Sequence, residues 1–280
     1  MSDKLLLRPL DFQPVKHQGQ DMWLLRDPLQ LTSYQLIMPL AMAQILMFLD
    51  GTRTAVQIHA DFCQHVGQEV DFAIIEDALQ QLDEACLLEN QRAQDAYYNM
   101  LAEFRAQTER KPALAGLGYP NKPQELDDLF ASYADGDAVN EDDEWHGRAI
   151  VSPHIDYQRG GPVYARVWRR ARTAVLAADM VIIFGTDHNG GPSSITLTRL
   201  PYATPYGVLP THRPMIDRLA NAIGPDNAFT HELNHRQEHS VELSAVWLHH
   251  IYHRAHASPP PMIPILVGSF QHYLENGAHP

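Results

Sequence analysis

This 280-residue chain is poor in cysteine and short of bases, and both shortages narrow what it can be. Only Cys63 and Cys86 occur, far from any Cys-x-x-Cys spacing. Neither a disulfide framework nor a structural zinc finger fits, and a reducing cytoplasm is the expected compartment. Lysine and arginine number 21 against 34 acids, a formal charge of −13. That balance argues against general affinity for nucleic acid or acidic membranes. No stretch approaches the ~20 apolar residues that cross a bilayer, and the N-terminal apolar run is too short for a signal peptide. A nucleophile elbow, a P-loop and a dinucleotide fingerprint are all missing. Ser152 precedes Pro153 in an extended segment, so a serine-hydrolase reading has little support. What is present is histidine, sixteen in all and most of them after residue 145, in a chain of globular composition.

Residues 1–95 read as a small winged helix-turn-helix. An extended lead-in with strand potential at Met22 to Leu25 precedes a buried helix from Tyr34 to Leu49, interrupted or begun anew at Pro39. Thr54 with Gln57 three residues on is a capping-box signature. After Asp71, residues Ile74, Ile75, Ala78, Leu79 and Leu82 fall on one helical face, and Leu87-Leu88-Glu89 reads as a wing. Between Gln30 and Arg92 two arginines stand against nine acids, a net −7. That is the wrong sign for a phosphate backbone, so a peptide or protein is the expected ligand. Residues 96–111 read as a helical connector whose Arg105, Glu109, Arg110 and Lys111 point to solvent exposure. The acidic run from Asp135 to Glu144 reads as a solvated linker.

From residue 112 the pattern alternates, with strands expected near 148–152, 180–185, 194–199 and 263–267 and helices near 162–178, 213–223 and 239–254. Such alternation implies an α/β fold with a mostly parallel sheet and flanking helices, whose ligands gather beyond the carboxyl ends of the strands. Two consecutive strands end in Ser152-Pro153-His154-Ile155-Asp156 and Gly185-Thr186-Asp187-His188. Imidazole and carboxylate groups delivered from separate elements to one edge suit a divalent metal. Gly160-Gly161-Pro162 reads either as a plain turn or as a strand-to-helix connection whose amides meet an anion. Glu238-His239-Ser240-Val241-Glu242 opens a third element. The helix dipole explains both glutamates but disfavours a cation at His239, which is read as a neutral base or metal ligand. The candidate ligands are therefore His154, His188 and His239, with the three imidazoles expected within about 10 Å on strand spacing. Catalytic roles fall to His239, with Glu238 or Asp156 orienting it. His249, His250, His253 and His256 fit a helix C-terminus and need no functional role.

Two resemblances add to this. Phe48-Leu49-Asp50-Gly51-Thr52-Arg53-Thr54, with Ile58 and the Leu79 to Leu88 segment, resembles the PqqD-type winged helix, which binds peptides by strand addition. More extensively, seven motifs stand in the order found in the Memo family, covering residues 112–275. They run from Ala115-Gly116 and Tyr119-Pro120 through Ser152-Pro153-His154, Gly160-Gly161-Pro162, Gly185-Thr186-Asp187-His188 and Thr204-Pro205-Tyr206-Gly207. Glu238-His239-Ser240-Val241-Glu242 and Ile263-Pro264-Ile265-Leu266-Val267-Gly268 complete the series. That family includes AmmeMemoRadiSam system protein B, and its fold resembles class III extradiol (non-haem iron) dioxygenases.

The Memo resemblance implies a divalent metal such as non-haem iron on His154 and His188, with Glu238 and His239 bordering the same pocket, and a radical SAM partner. A later family histidine, following the Leu-Val-Gly strand, has no counterpart here, nor has a family cysteine. His212 stands where the family has aspartate, and Ile155-Asp156 where many members have Ala-Gly. Residues 112–280 are therefore expected to be the N-terminal part of a Memo-like domain, C-terminally truncated, with an apolar sheet edge or face left open. The expected function is that of a metal-dependent, dioxygenase-related protein. The rival is a non-catalytic adaptor that captures a peptide or partner protein with its winged helix.

Overall fold

The computed structural model describes residues 4–133, 145, 147–191 and 194–271. The acidic run from Asp135 to Glu144 lies outside the described residues. The chain folds as two units, Met1–Glu103 and Phe104–Pro280.

The first unit begins with strands β1 (Asp11–His17) and β2 (Gln20–Arg26), paired antiparallel. Gln18 and Gly19 join them with positive φ of 49° and 80°, the backbone that a tight two-residue hairpin requires. Strand β3 (Leu36–Pro39) adds to β2, and a short helix α1 (Leu40–Ala43) and a 3₁₀ segment (Gln44–Phe48) follow. Of the helix expected from Tyr34 to Leu49, interrupted or begun anew at Pro39, the part before the proline is a strand and the part after it a short helix and a 3₁₀ segment. Pairing of Leu36 with Leu25 supplies a ladder that local helical propensity cannot match. Helix α2 (Ala55–Val66) starts at the expected cap, with the Gln57 side chain accepting from the Thr54 amide at 2.9 Å. Helix α3 (Phe72–Glu84) buries Ile75, Leu79 and Leu82 in one cluster with Ile45, Ile58 and Phe62; Ala78 is buried as well, whereas Ile74 is half exposed. Leu88, in the expected wing, makes a single bridge to Leu7. Helix α4 (Gln91–Arg105) follows, its last two residues belonging to the second unit.

The second unit contains α5 (Pro123–Ser132), α6 (Tyr157–Arg170), α7 (Arg172–Leu176), β4 (Val181–Thr186), β5 (Ile195–Leu197), and the hairpin β6 (Tyr202–Thr204) and β7 (Gly207–Leu209). Helices α8 (Arg213–Ile223), α9 (Pro225–Phe229) and α10 (Ser240–Arg254) and strand β8 (Met262–Val267) complete it. The main sheet is ordered β4-β8-β5, with β4 parallel and β5 antiparallel to β8. The expected mostly parallel sheet is therefore mixed. Eight residues separate β4 from β5, too few for the crossover of a dozen or more that a parallel return needs, so the chain doubles back.

Residues 148–152 are not a strand. Val151 is 92 % exposed, so the segment has no second face to bury, and it pairs with nothing in the ladder. Gly160, Gly161 and Pro162 lie inside α6 rather than in a loop. A methyl group on Gly161 would sit 2.5 Å from the Tyr133 ring, and one on Gly160 would sit 2.4 Å from Ile155. Close packing of the helix, not a turn or an anion site, explains that pair.

Helix α10 lies on one face of the sheet, packed with Tyr157, Tyr164, Trp168 and Phe130. Helices α8 and α9 cover Ile263, Ile265 and Leu197 on the other. Ile182 and Phe184 sit on β4 in register with Ile263 and Ile265, yet are 47 % and 70 % exposed. The open apolar face expected for this sheet is there, on β4.

Candidate metal centre

Three separate elements bring the site together. Residue Gly185 allows the start of α10 to close on β4, since a Cβ there would lie 2.5 Å from Ser240 Oγ. Ser240 Oγ then donates to the Thr186 carbonyl at 2.8 Å. Asp187 is buried and accepts from Asn234 Nδ2 at 2.9 Å and Thr196 Oγ1 at 3.2 Å. Burial pushes its pKa up despite those donors. Asp187 is thus the anchor that fixes where His188 leaves the strand. His154 arrives from the extended segment after Pro153, held by Tyr164 Oη donating to the Ile155 carbonyl at 3.1 Å. His239 is the N-cap of α10, following a 3₁₀ turn (Glu232–Arg236).

Ring centroids of His154, His188 and His239 lie 4.9 to 5.0 Å apart in all three pairs. One ligand atom from each lies within 4.8 Å of the others, and His154 Nε2 is 3.0 Å from His239 Nε2. Two imidazole nitrogens bound to one ion at roughly 2.1 Å can be no more than about 4.2 Å apart. The closest pair already meets that limit, and the widest needs only a small closure. Among the described residues this is the group of three that could hold a metal ion, and it is open to solvent.

Glu238 orients the cluster. Its carboxylate accepts from His188 Nδ1 at 2.9 Å and lies 3.2 Å from His239 Nδ1. A carboxylate can only accept here, so His188 Nδ1 carries a proton, and in the neutral ring the lone pair is then on Nε2. The backbone amides of His188, His239 and Ser240 also donate to Glu238, at 3.2, 2.8 and 3.0 Å. Burial pushes the Glu238 carboxyl up, but these amides and the His188 ring outweigh it and hold its pKa below the ordinary carboxylate range. The Nδ1 of His154 lies 3.4 Å from Thr186 Oγ1. All three rings therefore turn Nδ1 toward the protein. Burial, and then the two neighbouring imidazoles, lower the His154 pKa, which favours the neutral ring a metal requires.

The expected residues are placed unequally. His154, His188, His239 and Glu238 are together. Asp156 instead caps α6, accepting from the Arg159 amide at 3.0 Å and its Nε at 2.6 Å. Its carboxylate is committed to the helix start rather than to an imidazole.

Arg110 was missed altogether. It is fully buried, not solvated, and its Nε and terminal nitrogen donate to the carbonyls of His235 at 2.8 Å and Glu238 at 2.7 Å. Its other terminal nitrogen pairs with buried Glu242. Glu242 also accepts from the Ala113 and Leu114 amides, at 2.7 and 2.9 Å, and from Tyr119 Oη at 2.5 Å. Arg110 thus clasps both ends of the turn that presents Glu238 and His239. The one available signal was a carboxylate, Glu242, flanked by apolar Val241 and Leu243 and so in need of a base.

Residues 110–276 match a family model described as Memo-like protein. A "MEMO1 family protein" of Aquifex aeolicus is 27% identical over 252 residues, covering 88% of this chain and 63% of its own length. Others from Methanosarcina barkeri and Methanopyrus kandleri are each 31% identical, over 140 and 156 residues, covering 50% and 51% of this chain. The chain spans 48% and 52% of those two relatives, about half their length. The Aquifex alignment is long enough that it includes part of the first unit as well.

Proposed function

Because this chain belongs to the Memo-like family, we propose that its second unit is a metal centre built on His154, His188 and His239. The carrying observation is the orientation of the imidazoles. Each turns Nδ1 to a protein partner, as metal-binding histidines do when a carboxylate or hydroxyl fixes the tautomer. Three neutral nitrogen ligands suit zinc, copper, iron or nickel, and three protein ligands leave a position open for substrate, the pattern of catalytic sites. The family likeness to class III extradiol dioxygenases favours non-haem iron, which when bound would supply Lewis-acid and dioxygen chemistry. His188 and His239 are held by Glu238, while the Thr186 hydroxyl steadies His154. Arg110 keeps the turn bearing Glu238 and His239 in place. We place this protein in the cytoplasm, where the free Cys63 and Cys86 stay reduced. Among the described residues, no helix is long and apolar enough to cross a membrane. The resemblance to AmmeMemoRadiSam system protein B adds a radical SAM partner to this reading.

Calorimetric titration of metal-free protein with Fe²⁺ or Zn²⁺ tests the reading. One ion should bind per chain, and His188→Ala should abolish the heat of binding. A wild-type isotherm in His188→Ala would exclude the site.

A second reading rests on the first unit. Strand β1 leaves one edge of its sheet without a strand partner among the described residues, and residues 30–92 of the same unit carry a net −7. An adaptor that adds a basic peptide at that edge needs no turnover. Peptide capture unaffected by loss of the histidines would favour it.

A further inference from the structure

The sheet face turned away from α10 reaches its upper end beside the histidines. Thr186, Val267 and Ile195 stand in one row across β4, β8 and β5, so their side chains share that face. Phe184, two residues back from Thr186 on β4, lies on the same face. In the next row down, Ile265 and Leu197 are covered by α8 and α9 and are 5 % and 0 % exposed. The helices stop there, and Phe184 and Ile195 stay open at 70 % and 40 %.

Thr186 joins this patch to the metal centre. Its Oγ1 lies 3.4 Å from His154 Nδ1. From Thr186, Val267 is one strand spacing away, about 4.8 Å, and Phe184 two residues away, about 6.6 Å. An apolar shelf thus begins beside one of the imidazoles and leads away from it. Strands β4, β5 and β8 contain no Asp, Glu, Lys or Arg, so the shelf itself is uncharged.

Size decides what kind of occupant fits. Phe184, Ile182 and Ile195 expose on the order of 300 Å² together. Each partner in a stable dimer buries about 800 Å², so the shelf suits the body of a small molecule better than a second copy. Charge sits at the histidine end. Three neutral imidazoles and the Glu238 carboxylate would leave a bound divalent ion one unit of positive charge, which a monoanionic group neutralises.

Resting on the metal-centre reading above, we propose that the ligand of this centre has two parts. A small monoanionic head takes the open metal position, and a flat apolar body, one or two rings long, lies across Phe184, Val267 and Ile195. Phe184 is then a specificity-determining residue, because its open ring rewards a large body and gives nothing to a ligand that is head alone.

Cobalt-loaded full-length protein, titrated with acetohydroxamate and with 2-naphthohydroxamate, separates the two parts, with the shift of its visible bands as the readout. Both compounds should move the bands, and the naphthyl compound should bind at least roughly tenfold more tightly. Phe184→Ala, at a largely exposed position, should cancel most of that gain and leave acetohydroxamate within about twofold. Ile195→Ala should weaken the naphthyl compound severalfold. Phe184→Trp, which keeps a flat ring, should hold its affinity near the wild-type value, a comparison that stands if the alanine variant does not fold. Equal affinity for the two hydroxamates, or an equal loss of both in Phe184→Ala, would overturn the shelf while the metal centre stands. Failure of the protein to take up cobalt, or of acetohydroxamate to move the bands, would overturn the metal-bound head and this inference with it. Self-association abolished by Phe184→Ala, with the two hydroxamates bound alike, would overturn it in favour of a second copy on this face.

Discussion

His235 and His239 stand four residues apart on one short turn and end in opposite environments. His235 is fully buried: its Nε2 donates to the Thr196 carbonyl at 3.1 Å, and its Nδ1 accepts from Tyr202 Oη at 2.6 Å. His249 and His250, further along α10, are likewise enclosed, beside Thr204 at 2.7 Å and Asp127 at 3.0 Å. His239, His188 and His154 reach solvent, and each keeps a nitrogen turned toward the other two. Both nitrogens of His235 are satisfied by the protein, so it can only stabilise the fold. An imidazole with Nδ1 fixed and Nε2 left over is available for chemistry. The inner and outer sets should therefore separate under perturbation, stability following one and metal affinity the other.

Among single substitutions the largest effect should come from Arg110→Ala, which strands Glu242 as a buried charge. A loss of about 3–5 kcal/mol in urea unfolding is expected from breaking such a pair. A change below about 1 kcal/mol would mean that the clasp on the His235 to Glu238 turn is not structural.

Acid comes next. Burial holds the pKa of His235 down to about 3 and those of His249 and His250 to about 4, against about 6.5 unfolded. Below pH ~6.5 the unfolded chain binds protons that the folded chain refuses. Stability is then full above that pH and lost as it falls, by at most ~1.4 kcal/mol per pH unit for each ring. Urea midpoints at pH 7 and 5 should show this decline, and a flat profile would contradict it.

Glu238→Gln acts on the outer set. Removing the carboxylate that fixes His188 should cut metal affinity by roughly 10–100-fold in a calorimetric titration. An unchanged affinity would mean that the imidazoles need no orienting partner. The smallest effect is Asp156→Ala, with a minor drop in unfolding midpoint from the lost cap of α6 and no change in metal affinity. A collapse of metal binding in that variant would return Asp156 to the site.

Much of this division was legible in the sequence, for identifiable reasons. His188 sits beside a strand end and His239 beside a helix start, local signals that survive into the structure, whereas the strand expected before His154 is an extended segment without a ladder partner. Thr54 with Gln57 and the α3 face are legible for the same reason. Arg110 was not legible, because a charged residue among charged neighbours looks solvated until its partner Glu242, 132 residues away, is known. The antiparallel return of β5 and the helical setting of Gly160-Gly161 were hidden similarly, being fixed by connection length and by the Tyr133 ring. The strand Leu36–Pro39 owes its form to β2, which no window over 34–49 contains.

The most direct test uses cobalt. Co²⁺ added to metal-free protein should give ligand-field bands in the visible spectrum at one ion per chain. Alanine at His154, His188 or His239 should remove those bands with little change in thermal midpoint. Alanine at His249 or His250 should keep the bands and lower the midpoint. Bands that persist without the outer histidines, or vanish without the inner ones, would contradict the account.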